Sequence, residues 1–161
     1  MNVREIRPDQ THSPMSSWEN LFLAGSIEQG KAVDWQADAV SYFNNFNVNV
    51  YNPRRQQWNP ELEQSIREPK FVSQVAWEQK YLERADYILF NLLPDTKSPI
   101  SLHELGQLCG VSDKTVVVCC PKGFWRRGNV QISCILSRFF LYEEFEDALA
   151  HIRVLLEYKQ I

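Results

Sequence analysis

The sequence predicts an α/β protein with a parallel sheet covered by helices. Short apolar runs alternate with helix-like patterns along the chain, as expected when each strand is followed by a crossover helix. The run at 85–93 is rich in branched and aromatic residues, which is typical of a strand buried on both faces. The 161 residues are enough for one domain with one core. We therefore expect 85–93 to be the central strand of a single sheet.

The other elements follow the same alternation. Further strands are predicted at 21–24, 48–51, 115–120 and 139–142, and helices at 33–43, 71–84, 102–109, 130–138 and 146–158. The polar, proline-bounded segment 56–69 and the segment 123–128 are predicted loops. Residues 1–18 are polar, and we predict a flexible N-terminal segment there, followed by a single domain at 19–161.

Composition excludes several functional classes. The net charge of −3, the hydrophobic fraction of 44% and the charged fraction of 23% give no reason to expect a nucleic-acid partner. No stretch approaches the roughly 18 apolar residues of a membrane span, and the N-terminus is unlike a signal peptide, so we expect a cytoplasmic protein without a membrane partner. The 4 cysteines include no C-x-x-C pair, and neither disulfides nor a zinc site are expected.

One carboxylate, that of Glu104, follows the predicted central strand at a position suited to chemistry. Ser101 is the predicted N-cap of the next helix, which puts Glu104 at the third helical position. Ligands of open α/β sheets bind outside the carboxyl ends of the strands, and a helix start there favours an ionised carboxylate. Glu104 is therefore a candidate nucleophile. The alternative is a capping box between Ser101 and Glu104, which needs no function.

Five segments of the chain form an ordered set. They are Leu21-Phe-Leu-Ala-Gly-Ser-Ile27, Tyr51-Asn-Pro-Arg-Arg55, Gln74-Val-Ala-Trp-Glu78 with Leu82-Glu-Arg-Ala-Asp86, Ser98-Pro-Ile-Ser-Leu-His-Glu-Leu-Gly106 and Gly123-Phe-Trp-Arg-Arg-Gly-Asn-Val130. Each is weak alone, but their order and spacing are specific. The set resembles the nucleoside 2-deoxyribosyltransferases and their relatives, the deoxynucleoside 5′-monophosphate N-glycosidases. The resemblance implies a flavodoxin-like (Rossmann-like) sheet of five parallel strands with helices on both faces.

The resemblance also implies a double-displacement reaction without a metal or cofactor. Glu104 would attack C1′ of a 2′-deoxynucleoside and form a covalent 2-deoxyribosyl ester, and a free nucleobase would then take the sugar with net retention. If water replaces the second base, the activity becomes hydrolysis of deoxynucleosides or their 5′-monophosphates. A non-catalytic nucleotide-binding module is a further interpretation, against which the intact Glu104 argues. A flavin is not expected, because Glu28 in the first loop would repel a phosphate.

Glu78 matches the acidic residue that the family carries before the central strand. It lies eight residues before Asp86 and is the candidate for the general acid that protonates the leaving base. That role requires a pKa raised by burial, for example near Trp77. Several relatives carry Asp at this position, and the longer Glu side chain makes the match less strict. The alternative is a surface carboxylate paired with Lys80 or Arg84.

Other matched positions are candidates for substrate binding. Gly25 and Ser26 would let a ligand approach the backbone, with Ile27 packing against the base. The alternative for these three is an ordinary turn between a strand and a helix. Asp34 and Trp35 would supply a polar contact and a stacking face, although a core position for the tryptophan is an equal alternative.

Two further positions bear on the substrate and on assembly. Ser98 lies where the relatives bind the 5′ end of the sugar, with an acid in the transferases and a serine in the monophosphate glycosidases, and a serine at a helix start suits a phosphate. Asn129 matches a residue that relatives contribute to a neighbouring subunit's site, so the resemblance implies a homo-oligomer with shared active sites. Arg126 and Arg127 are either surface charges or phosphate ligands.

Overall fold

A six-stranded parallel sheet organises the chain in the computed structural model, which describes residues 2–110 and 113–160. The strands are β1 (Val3–Ile6), β2 (Glu19–Gly25), β3 (Val48–Tyr51), β4 (Tyr87–Asn91), β5 (Thr115–Cys119) and β6 (Phe140–Tyr142). The helices are α1 (Trp35–Tyr42), α2 (Pro69–Arg84), α3 (Pro99–Leu108), α4 (Arg127–Ser137) and α5 (Phe145–Lys159). The α/β class is confirmed.

The strand order places one crevice at the middle of the sheet. The strands lie in the order β1-β3-β2-β4-β5-β6, and each neighbouring pair is parallel. The last five strands follow the order of flavodoxin-like sheets, in which the chain reverses its direction of strand addition between β2 and β4. β4 is central, as the apolar run predicted. Ligands of such sheets bind where this reversal occurs, at the carboxyl ends of the strands.

The sheet has one strand more than the five that were expected. β1 comes from the N-terminal segment and pairs with β3, so that Val3 lies beside Val48 and Ile6 beside Tyr51. The pattern did not predict this strand because two charged residues stand between its two apolar ones. At the edge of a sheet only part of a strand is covered, and of the four residues only Ile6 is fully buried.

Helices cover both faces of the sheet, as the resemblance implied. Along β2, alternate side chains point to opposite faces: Phe22 packs in one apolar cluster, and Leu21 and Leu23 pack in another. The first cluster includes residues of α2, α3 and α4, and the second includes residues of α1 and α5. The sheet is therefore buried on both sides, and the crevice at its carboxyl edge remains the place for a ligand.

α3 begins earlier than the sequence predicted. Its first residue is Pro99, whose fixed φ and missing N–H suit that position. Ser98 is the N-cap residue, with a left-handed φ of 45° and no side-chain capping hydrogen bond. Glu104 is consequently the sixth residue of the helix, beyond the first turn. The predicted N-cap at Ser101 is wrong, and so is the capping box that was the alternative explanation of Glu104.

Candidate functional site

The two central strands end in close contact at Gly25. This residue has a φ of +139°, and a Cβ built on it would lie 2.2 Å from the backbone oxygen of Asn91 at the end of β4. Only glycine fits such a position without moving one of the two strands. The next residue, Ser26, donates its backbone N–H to the same Asn91 oxygen at 3.0 Å. The loops that follow β2 and β4 therefore start side by side.

Three hydroxyl groups join these two loops. The Oγ of Ser26 lies 2.6 Å from Thr96 Oγ1 and 2.6 Å from Ser98 Oγ, and the latter two oxygens are 2.9 Å apart. The backbone N–H of Leu93 also donates to Ser26 Oγ, at 2.9 Å. Ser26 and Ser98 are 0% and 4% exposed. The Ser98 hydroxyl is thus engaged within the protein, in a network that fixes the start of α3.

Glu28 closes the same region from the loop after β2. Its Oε1 accepts the backbone N–H of Ser98 at 2.9 Å. Glu28 has a φ of 49°, a left-handed conformation that few non-glycine residues adopt. Arg54, just after β3, holds this loop by donating to the carbonyl oxygens of Gly30 and Ala32 at 3.0 and 2.7 Å. The carboxylate of Glu28 is therefore positioned by the surrounding structure, at a cost in backbone strain.

Glu104 is a buried carboxyl group without a hydrogen-bond donor. Its side chain is 5% exposed, and no residue within 2–110 and 113–160 donates to it. Burial, together with the nearby charge of Glu78, raises the pKa of Glu104 to about 8. The expectation that its position favours the ionised form is therefore wrong. The free N–H groups lie in the first turn of a helix, and Glu104 is past them.

Glu78 is the second acidic group of the site. It accepts a hydrogen bond from Gln74 Nε2, and the Oε1 of the same Gln74 accepts one from Arg55. Burial raises the pKa of Glu78, while the hydrogen bond from Gln74 and the charge of Arg55 limit the rise. The direction agrees with the expectation for a general acid. In the described residues Glu78 forms no ion pair with Lys80 or Arg84, the alternative raised from the sequence.

The two carboxyl groups form one titrating pair. Each is in an environment that disfavours its charged form, and the charge of Glu78 acts directly on Glu104. Two such groups near each other hold a single proton over a range of pH, because ionising both is costly. Around neutral pH one group is then an acid and the other an anion. This combination can supply a nucleophile and a proton donor to one ligand.

Three predicted binding residues have structural roles in the same loop. The carbonyl oxygen of Ile27 accepts the backbone N–H of Gly30 at 2.9 Å. Asp34 caps α1 by accepting the N–H of Ala37 at 3.2 Å. Trp35 is 3% exposed and lies in the core, which was the alternative stated for it. Its Nε1 donates a hydrogen bond to the backbone carbonyl oxygen of Ser26 at 2.9 Å. These contacts shape the loop around the site.

Comparison with known protein families agrees with this arrangement. A family model described as nucleoside 2-deoxyribosyltransferase like matches residues 18–124. The chain belongs to this deoxyribosyltransferase-like family. The match runs from β2 to just past β5, so it contains Glu78, Glu104 and the loops described above. It ends before Asn129. No curated protein matches the chain.

α4 lies outside the segment that matches the deoxyribosyltransferase-like family. Asn129 is its third residue and is exposed. No described residue of the chain forms a hydrogen bond with its side chain. The spacing of Asn129, Ile132 and Leu136 places them on one side of the helix, and the two apolar residues are 61% and 80% exposed. This face of α4 is uncovered in the single chain.

Two arginines at the start of α4, the N-cap Arg126 and the first helical residue Arg127, have partners within the chain. The guanidinium of Arg126 lies over the ring of Trp125, 4.4 Å from its centroid. Arg127 forms an ion pair with Glu143 and donates to the carbonyl oxygen of Cys120 at 3.3 Å. Both contacts fit the interpretation of these arginines as surface charges.

Sequence reasoning missed several residues that shape the site. Gln74 and Glu78 stand four residues apart in one of the matched segments, so helical spacing alone puts them on one face of α2. That signal was available. Thr96 and Glu28 reach Ser26 and Ser98 across separations of about 70 residues in the sequence, and no local pattern predicts such contacts.

The opposite edge of the sheet has a different character. A polar cavity of about 280 Å³ lies there, lined by residues at the amino ends of three strands, including Glu19, Tyr87 and Thr115. Open α/β sheets of this topology bind ligands at the carboxyl ends of their strands, which favours the Glu104 region over this cavity. Within the described ranges no group of three or more His, Cys, Asp or Glu side chains is arranged to hold a metal ion. None of the helices in those ranges has the length and apolar character of a membrane span.

Proposed function

We propose that this chain is a nucleoside 2-deoxyribosyltransferase, which moves 2-deoxyribose from one nucleobase to another. The observation that carries the proposal is the pair of carboxyl groups formed by the buried Glu104 and the partly buried Glu78, at the carboxyl edge of the sheet in a chain of this family. Sugar transfer through a covalent intermediate requires one carboxylate as nucleophile and one acid for the leaving group. This pair supplies both.

In the first step Glu104 acts as the nucleophile. A carboxylate oxygen forms a bond to C1′ of the deoxynucleoside while the bond from C1′ to the base nitrogen breaks. The electron pair of that bond goes to the base, and Glu78 gives the base a proton. The transition state carries positive charge on the sugar, and an anionic Glu104 in a dry site stabilises this charge strongly.

In the second step the incoming base reverses these events. A nitrogen of the new base attacks C1′ from the face that the first base left, the ester bond to Glu104 breaks, and its electron pair returns to the carboxylate. Glu78 accepts the proton that the incoming base loses. Two inversions give retention at C1′. The pair ends as it began, with one proton and one negative charge.

The shared proton explains why both groups are needed. Burial and the charge of Glu78 keep the proton on Glu104 through neutral pH. Attack requires the other arrangement, with the proton on Glu78 and the charge on Glu104. Positive charge developing at C1′ favours that arrangement, because it stabilises a negative Glu104 beside it. Substrate binding and proton position are therefore coupled.

The loop after β2 would receive the substrate. Gly25 lets β2 end against Asn91, so the expected approach of a ligand to its backbone is wrong, and the buried Ser26 anchors the loop. Ile27 and the loop through Asp34 would form one wall, which Arg54 fixes from behind. The base would lie against this wall and within reach of Glu78. Trp35 supports the wall from the core. Such preorganisation places the substrate without ordering a mobile loop.

We further propose that the active enzyme is a homo-oligomer with shared sites. The uncovered face of α4 carries Asn129 beside the exposed side chains of Ile132 and Leu136. Exposed apolar side chains grouped on one helix face are typical of a subunit interface. A second copy packed there would bring Asn129 of one subunit to the site of the other.

The direct test is transfer between bases. Purified protein is incubated with deoxyinosine and free adenine, and the products are separated by chromatography. New deoxyadenosine is the expected result. Deoxyribose and hypoxanthine alone would instead support a hydrolase, and the absence of all turnover with purine and pyrimidine nucleosides and their monophosphates would refute an enzymatic function.

The nucleophile is tested separately. A 2-deoxy-2-fluoro analogue should label the peptide that contains Glu104, as detected by mass spectrometry, and Glu104→Ala should abolish both labelling and turnover. Glu61→Gln is the matched control, since Glu61 is exposed on the loop before α2 and its substitution removes one carboxylate charge as well. Labelling of another residue, or full activity in Glu104→Ala, would overturn the assignment.

A further inference from the structure

A carboxylate already occupies the place where a phosphate would bind at the start of α3. At the N-cap of α3 the backbone N–H of Ser98 already donates to Glu28 Oε1, at 2.9 Å. Pro99 follows and has no N–H to offer. An anion that approached the helix start from the sugar would therefore meet the negative charge of Glu28 before it met the N–H of Ser98.

The hydroxyl of Ser98 is engaged as well. It lies within hydrogen-bond distance of Ser26 Oγ and Thr96 Oγ1, and the side chain is almost fully buried. Releasing it for a phosphate oxygen would break a network that joins the ends of β2 and β4. The serine that the sequence offers as a phosphate ligand thus serves the protein's own structure.

One carboxylate oxygen of Glu28, Oε2, can accept a further hydrogen bond. The other, Oε1, is bonded to Ser98, and no described residue of the chain bonds to Oε2. A carboxylate oxygen accepts a hydrogen bond from a hydroxyl group. It repels a phosphate monoester, which is negatively charged at neutral pH. The left-handed backbone at Glu28 and the Arg54 contacts keep this oxygen in place.

Glu28 is held at the N-terminus of α3, and Glu104 lies further along the same helix. Ser98 and Glu104 are six residues apart along α3, which corresponds to about 9 Å along the helix axis. A deoxyribose with C1′ at Glu104 extends its 5′ end over part of this length. Towards the N-terminus of α3 the polar groups that it meets are those of Ser98, Thr96 and Glu28.

From this geometry we propose that Glu28 is a specificity residue, which accepts the 5′-hydroxyl of a nucleoside and excludes nucleoside 5′-monophosphates. The proposal rests on the proposed function and names its substrate class: unphosphorylated 2′-deoxynucleosides. The acid that binds the 5′ end then comes from the loop after β2. Ser98 holds the carboxylate of Glu28 in place by donating its backbone N–H to it.

The first test compares two sugar donors. Values of kcat/KM are measured for a deoxynucleoside and for its 5′-monophosphate, with wild type, Glu28→Gln and the charge-matched control Glu61→Gln. Wild type and Glu61→Gln should prefer the nucleoside by about 100-fold or more, and Glu28→Gln should reduce that preference by about tenfold or more. A wild-type preference for the monophosphate, or an unchanged ratio in Glu28→Gln, overturns the proposal.

The second test does not require turnover. Binding of 2-deoxyribose 5-phosphate and of neutral 2-deoxyribose is followed by NMR titration of the same three proteins. Glu28→Gln should bind the phosphorylated sugar about tenfold more tightly than wild type does, with little change for the neutral sugar. Equal binding of the phosphorylated sugar to both refutes the role of Glu28. If no donor is turned over but this difference appears, the transferase function fails while the exclusion of phosphate by Glu28 stands.

Discussion

Replacing Glu104 by glutamine should make the protein more stable, and increasingly so as the pH rises. The side chain is 5% exposed, and burial with the charge of Glu78 raises its pKa from 4.5 to about 8. Glutamine has nearly the same shape and never ionises. The substitution therefore removes the cost of keeping this carboxyl group protonated up to about pH 8, and of burying its charge above that pH, with little change in packing.

The size of the effect follows from proton linkage. Between about pH 4.5 and 8 the folded protein keeps a proton on Glu104 that the unfolded chain has released, so the free energy of unfolding falls as the pH rises. At about 1.4 kcal/mol per pH unit, the loss reaches roughly 3 kcal/mol at pH 7 and roughly 5 kcal/mol above pH 8. Below about pH 4 it vanishes, because both states are protonated. Glu104→Gln should recover these amounts.

Urea denaturation at several pH values measures the difference. The free energy of unfolding of wild type and Glu104→Gln is determined at about pH 5, 7 and 8, and the difference should grow with pH. Glu61→Gln, at an exposed position, should show a small difference without this trend. A difference that is the same at every pH, or a variant less stable than wild type at pH 8, would refute the assignment of a buried, costly carboxylate at Glu104.

Three further predictions concern the acid pair, the crevice and the subunit interface. Glu78→Gln should lower kcat by about 100-fold or more. In wild type the pH profile should be bell-shaped and fall above about pH 8. In Glu78→Gln the profile should have a single rising limb, because only the ionisation of Glu104 remains. Its midpoint should lie below that of the wild-type falling limb, since the charge of Glu78 no longer raises the pKa of Glu104; an unchanged falling limb would contradict this. Gly25→Ala should destabilise the fold by roughly 2 kcal/mol or more in thermal melts, because its Cβ meets the Asn91 oxygen at a positive φ. Leu136→Glu should shift the protein to monomers in sedimentation velocity and reduce turnover, and active monomers would exclude a shared site.

The sequence pattern was sufficient for most of the fold. Apolar runs with polar punctuation predicted five strands and all five helices, and the wholly apolar run identified the central strand β4. The strand β1 was not predicted, because an edge strand is only partly buried and needs few apolar residues, and Val-Arg-Glu-Ile has only two. The start of α3 was misplaced by a serine at 101, although Pro99 was the stronger signal for a first helical residue.

The site was predictable only where its residues share an element or match the family. Glu104 was proposed from its position after the central strand and Glu78 from the matched segments, and the helical spacing of Gln74 to Glu78 could have added Gln74. The protonation of Glu104 was predicted wrongly, because burial and a neighbour from another helix decide its pKa. The contact of Glu28 with Ser98 joins residues 70 positions apart and depends on a left-handed backbone that glutamate rarely adopts.

The edge position of β1 has a consequence for handling the protein. The family match begins at residue 18, so a chain trimmed to it would lack β1 and would present β3 as a bare edge, a template for pairing with other chains. The loss of β1 would also affect the environment of Glu78. The carbonyl oxygen of Ile6 accepts the N–H of Asn52 at 2.9 Å, and Asn52 begins the loop whose Arg55 supports Gln74 and, through it, Glu78. Such a trimmed protein should aggregate, and any soluble fraction should have an altered pH optimum.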